Sequence, residues 1–128
     1  LRQIMTINVR TYEARTVSGK NGTIVMIPFS AHTQGELFTG STPENGYDTQ
    51  RITPDGKLRL SARYMLVGKD AAGNPCSVFI ENNGSSLDSC KPEIHTDSPE
   101  LVFLETADLS ARVEPCADGV TVKIFCEQ

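Results

Sequence analysis

Ala107-Asp108-Leu109-Ser110-Ala111-Arg112-Val113-Glu114-Pro115-Cys116-Ala117-Asp118-Gly119-Val120-Thr121-Val122-Lys123-Ile124-Phe125-Cys126-Glu127 is the stretch that decides the fold. Ala107, Leu109, Ala111 and Val113 alternate with Asp108, Ser110, Arg112 and Glu114. After Pro115 to Gly119, whose residue types suit a turn, Val120, Val122, Ile124 and Cys126 alternate with Thr121, Lys123, Phe125 and Glu127. A period of two places every second side chain on the same face, so the stretch predicts a hairpin with one buried and one wetted face.

The same period extends outward from this hairpin. Lys57 to Val67 predicts a long strand, with Leu58, Leu60, Ala62, Tyr64 and Leu66 on one face. Arg59, Ser61, Arg63, Met65 and Val67 take the other face. Lys69 to Asn74 turns the chain, and Cys76 to Asn83 returns it. Pro54-Asp55-Gly56 joins the long strand to an earlier one at Gly46 to Ile52. Gln3 to Tyr12 and Thr23 to Phe29 predict strands around a turn at Ser18 to Gly22, with shorter strands at Gly35 to Phe38 and Glu100 to Glu105. No segment of helical length carries apolar residues at i, i+3, i+4 and i+7, apart from a turn near Leu87.

Nine or ten strands in 128 residues leave unpaired edges unless the sheet closes. The expected fold is therefore all-β: one domain over residues 1–128, forming a closed antiparallel barrel of about eight to ten strands. A two-sheet sandwich is the alternative. Such a barrel is filled by side chains or holds one small ligand.

Composition narrows the function classes. The net charge is −4, and Lys and Arg are never adjacent, so no basic face for a phosphate backbone is legible and nucleic acid is not an expected partner. The longest apolar run, Thr23 to Phe29, is too short to cross a bilayer as a helix, and no membrane partner is expected. No signal-peptide pattern opens the chain at Leu1. Cys76, Cys90, Cys116 and Cys126 show no metal-ligand spacing. Their even number and the sequons at Asn21 and Asn83 permit a secreted disulfide framework, but Asn-Gly is first a turn signal. The proposed hairpin separates Cys116 from Cys126 by roughly 25–30 Å, several times what a disulfide spans. Free thiols and a cytoplasmic location are expected.

Two polar groupings are the candidates for chemistry. If the long hairpin turns symmetrically about Ala72, Arg63 faces Glu81, Met65 faces Phe79, and Ser61 faces Asn83. The arginine and glutamate are either an exposed ion pair of little consequence or a paired anchor inside the lumen. Asp48 and Gln50 share a face on the preceding strand and can neighbour Arg63. With Asp48 or Glu81 as the acid/base group, the set suits proton transfer on a small carbonyl compound, Arg63 stabilising the oxyanion. His32 and His95 lack a third ligand for zinc, so no metal is expected. Phosphate-binding glycine loops and nucleophile elbows are absent, and no cofactor is expected.

Gly46-Tyr47-Asp48-Thr49-Gln50, Ser61-Ala62-Arg63-Tyr64, Phe79 to Gly84 and Thr96-Asp97-Ser98 resemble the bacterial domain of unknown function 3237, also called uncharacterised protein family 0311. The likeness runs from about Val25 to the C-terminus. It implies a bacterial, cytoplasmic protein with a lipocalin-like barrel and no established reaction. It also carries Asp48, Gln50, Arg63, Tyr64, Glu81 and Asn83 over as candidate ligand-binding residues.

Three functions stand as expectations. The first is binding of a small organic ligand, anionic or carbonyl-bearing, in the barrel. The second is a cofactor-free isomerase, cyclase or hydratase. The third is a structural or subunit-interface protein. Apolar residues on both faces, such as Phe125 behind Val122 and the run Leu101 to Leu104, add the expectation of a homo-oligomer. The sharpest expectation is that Arg63 points inward and anchors the site.

Overall fold

A computed structural model describes residues 1–127. Ten strands form one antiparallel sheet: β1 (Arg2–Thr11), β2 (Arg15–Gly19), β3 (Gly22–Thr33), β4 (Phe38–Ser41), β5 (Gly46–Ile52), β6 (Leu58–Asp70), β7 (Pro75–Gly84), β8 (Cys90–Thr96), β9 (Leu109–Cys116) and β10 (Gly119–Cys126). β1 pairs with both β10 and β3, which closes the sheet on itself. β4 and β5 share one place between β3 and β6, and β2 continues the place of β1 along β3, so the ten strands fill eight positions of a closed barrel. Closure satisfies the edges that an open sheet of this size would expose.

The hairpin at the C-terminus forms as its alternation dictates, with Val122 opposite Val113 and Ile124 opposite Ala111, all turned toward the core. The β6–β7 register is also the expected one: Arg63 pairs with Glu81, Met65 with Phe79 and Ser61 with Asn83. Its face is the reverse of the expectation. Leu60, Tyr64 and Leu66 fill the interior with Val78 and Ile80, whereas Met65 is 46% exposed. The Tyr64 face offers a run of large apolar groups, and burying it costs no paired charge. Turning Arg63 and Glu81 inward would desolvate two charges and expose that run.

Three local readings shift. The strand expected at Glu100 to Glu105 is instead a short 3-10 turn, η1 (Val102–Glu105). Leu101 and Leu104 are wholly buried, and their spacing of three puts both on one face only in a helical turn. The strand expected at Gly35 to Phe38 begins at Phe38. Cys90 to Thr96, left unassigned by pattern, is β8, with Cys90, Pro92 and Ile94 inward and Lys91, Glu93 and His95 outward. All four cysteines are free. No helix is long and apolar enough to cross a membrane.

One junction of the barrel is thin. β8 meets β9 at a single ladder pair, Cys90 with Ala111. Beside it the Val113 N–H donates to the Leu87 carbonyl (3.0 Å), and the Thr96 N–H to the Glu105 carboxylate (3.0 Å).

Candidate functional site

The interior differs along its length. At the end nearest the β6–β7 turn, Phe38, Leu66, Val78, Leu101, Leu104 and Ile124 are buried with almost no exposed area. At the opposite end a cavity of about 70 Å³ remains, lined among others by Asp48, Ala62, Tyr64, Asn82, Leu87 and Cys90.

The cavity follows from small residues beside large ones. Asp48 on β5 lies opposite Ala62 on β6, and Ala62 lies opposite Asn82 on β7. Asp48 and Asn82 therefore flank a side chain of one carbon, which leaves the space between them unfilled. Gly46 does the reverse service for the neighbouring row. A Cβ there would sit 2.5 Å from the Tyr64 Cβ and 2.8 Å from the Phe29 ring. Its absence lets Tyr64 and Phe29 pack edge to face at 5.1 Å.

The polar groups in this cavity are incompletely paired. The Tyr64 hydroxyl and the Asn82 side-chain carbonyl are buried without a hydrogen-bond partner. Such groups carry a desolvation cost of about 1–3 kcal/mol each unless something bonds them. Burial also pushes the Tyr64 hydroxyl far above the usual phenol range, so it stays protonated and can donate. Asp48 accepts a hydrogen bond from Gln50 Nε2 at 3.1 Å. Burial still raises its pKa, against the lowering by Gln50. The Cys90 thiol donates to the Ser86 carbonyl at 3.3 Å. Burial, followed by the charges of Asp48 and Asp88, raises it, so it is no activated nucleophile.

Of the residues singled out by sequence, Asp48, Gln50 and Tyr64 face this interior. Arg63, Glu81 and Asn83 do not: they lie on the outer wall. Arg63 Nε sits 3.3 Å from Glu81 Oε1, with the arginine side chain 66% exposed, and Asn83 Nδ2 donates to Glu81 Oε2 at 2.9 Å. The inward anchor expected of Arg63 is thus corrected, and with it the role of Glu81 as a lumen base. Asn82 was missed. Its signal was present, because it alternates with Val78 and Ile80, but the polar residues on the other face drew the reading away. His95 is exposed and bonded to Glu93 at 3.0 Å. No group of three metal-ligating side chains occurs among the described residues.

The comparisons agree with this architecture. The structure of a Clostridium acetobutylicum protein of unknown function has a TM-score of 0.82 at 23% identity, covering 99% of this chain and 98% of its own. A structure from Penicillium herquei described as an enzyme has a TM-score of 0.75 at 12% identity, covering 99% of this chain and 92% of its own. These likenesses show the fold. A curated UPF0311 protein of C. acetobutylicum is 42% identical over 60 residues, which is 46% of this chain and 35% of that relative, so the match spans about a third of the relative's length. The family model described as "protein of unknown function (DUF3237)" matches residues 1–94, and the chain belongs to that family.

Proposed function

We propose that the protein binds a small, neutral, oxygen-bearing organic molecule at the open end of its lumen. The observation that carries this reading is the pair of buried, unbonded atoms, Tyr64 Oη and Asn82 Oδ1, in two residues that line one cavity. The tyrosine donates to a carbonyl or ether oxygen, and the asparagine accepts from a hydroxyl. A carboxylate at Asp48 and the outward position of Arg63 disfavour an anionic ligand in this place. The cavity admits only a polar head of a few atoms, and the rest of the ligand lies toward Leu87, which is 42% exposed. The four free thiols support a reducing compartment such as the cytoplasm.

The elevated pKa of Asp48 favours a second reading, a cofactor-free isomerase, cyclase or hydratase. In it Asp48 takes a proton from the substrate and Tyr64 donates a hydrogen bond to the oxygen on which charge develops. The fold accommodates catalysis, since the Penicillium herquei structure of like fold is described as an enzyme. A purely structural role would leave the Tyr64 hydroxyl and the Asn82 side-chain carbonyl, both inside one chain, without a purpose.

Titration of isotopically labelled protein with acetone, 2-propanol, phenol and acetate tests the binding reading. The neutral probes are expected to move the amide signals of Ala62, Tyr64 and Asn82, and Tyr64→Phe is expected to weaken them. No response to any neutral probe, or an equal response in Tyr64→Phe, overturns it.

A further inference from the structure

The outer wall carries a second place suited to a ligand, of opposite chemistry. Thr49 on β5 and Ser61 on β6 lie directly opposite each other on this face, continued by Met26 on β3 and Asn83 on β7. Two residues along the strands in one direction Arg51 faces Arg59, and two residues in the other direction Tyr47 faces Arg63. A step of two residues is roughly 7 Å, which a guanidinium on its flexible stem spans. Three arginines thus surround one pair of hydroxyls, in a groove of about 850 Å³ that they line with Met26, Tyr47 and Asn83.

The charges in this groove lack compensation. Among the described residues neither Arg51 nor Arg59 forms an ion pair, and Arg63 reaches Glu81 through Nε, leaving its two terminal nitrogens for another partner. Like charges directly across a strand pair are unfavourable, yet Arg51 and Arg59 are so placed in a chain whose net charge is −4. The Ser61 hydroxyl is shielded from solvent and has no hydrogen-bond partner. A tetrahedral oxyanion at the centre would answer all of these at once. It would neutralise the facing arginines, take forked hydrogen bonds from guanidinium groups, and accept from Ser61 once that side chain rotates toward the groove. Tyr47, 47% exposed, and Met26 offer apolar cover for an organic group beside it.

We infer that this outer groove is a binding site for a small phosphoryl-bearing molecule, separate from the lumen. Phosphate rather than a single carboxylate fits the number of cationic groups and their spread around one point.

Calorimetric titration with phenyl phosphate, with inorganic phosphate alongside, tests it at constant ionic strength set by sodium chloride. Phenyl phosphate is expected to bind, and Arg59→Gln to weaken it about tenfold or more, the loss of a charge-assisted hydrogen bond. Lys123→Gln on the far wall and Tyr64→Phe in the lumen are expected to leave it unchanged. Arg59→Gln is also expected to raise Tm without ligand, because it removes a facing like charge, so a folded variant is assured a readout. Tighter binding of phenyl phosphate than of phosphate supports the cover by Tyr47 and Met26. Heat no greater than chloride alone produces, or an equal loss in Lys123→Gln, overturns the site.

Discussion

The two ends of one lumen are built from the same strands and solve opposite problems. Near the β6–β7 turn, Leu66, Val78, Phe38 and the two leucines Leu101 and Leu104 of the η1 turn fill the space. The buried carboxylate there, Asp70, is bonded by the Ser98 hydroxyl at 2.7 Å and by the Ala72 and Asn74 N–H groups. At the other end Ala62 leaves room, and Asp48, Tyr64 and Asn82 are held with too few partners. The difference separates the part of a small barrel that is built for stability from the part that has room for a ligand. One end is saturated in both packing and hydrogen bonds, and the other is left short of both.

The largest expected effect lies at the filled end. Leu66→Ala should cost about 2–5 kcal/mol in a urea melt. Val113→Ala, beside the cavity and half-buried, should cost clearly less; equal losses would break the contrast. Tyr64→Phe should be neutral or stabilising by about 1 kcal/mol without ligand, because it removes a buried hydroxyl that bonds to nothing. A loss of stability there would mean the hydroxyl is already satisfied. Arg63→Ala should cost only about 0–1 kcal/mol, as an exposed pair does.

The smallest effect sharpens the contrast by sign. Asp48 has a folded pKa above its ordinary value, so the native state binds its proton more tightly than the unfolded chain. Its contribution therefore falls as pH rises from the ordinary carboxylate pKa through the folded one. Asp70 has a lowered pKa, chiefly through Ser98, so its contribution is present above the ordinary value and is lost as pH falls through the folded one. Chemical denaturation across the acid range should show Asp48→Asn removing a decline with rising pH. Asp70→Asn should remove a rise. Slopes of one sign in both variants would refute the assignment.

Much of this was legible in the residues. The alternation in β6, β7, β9 and β10 gave pairings that the structure reproduces residue for residue across Arg63 and Glu81. What alternation cannot give is which face turns in when both carry apolar groups. Met65 and Phe79 made the arginine face look enclosed, and only closure of the whole barrel places Leu60, Tyr64 and Leu66 at the axis. Asn82 was hidden for the same reason. Half of the site residues carried by the family resemblance, Asp48, Gln50 and Tyr64, face the lumen, whereas Arg63, Glu81 and Asn83 lie on the outer wall, where Arg63 and Asn83 line the groove. η1 was read as a strand because Leu101 to Leu104 is uniformly apolar, and a period cannot be read from a run without polar residues.

The thin junction between β8 and β9 has a kinetic consequence. Every other neighbouring pair in the ring shares two or more rungs, but the backbone of this one is joined by the Cys90–Ala111 rung and the Val113–Leu87 bond. Pro92 already withholds one donor from β8, so little is forfeited there when the strands separate. Cys90, Leu87 and Val113 also line the cavity, so parting them opens its wall while the filled end stays shut. Under the proposed binding role, local breathing at this seam is the expected route for a ligand, at a rate set by a few hydrogen bonds and independent of global unfolding. Amide exchange at Val113 should run far ahead of exchange at Tyr64 and Ile80, the barrel behaving as a ring with a latch.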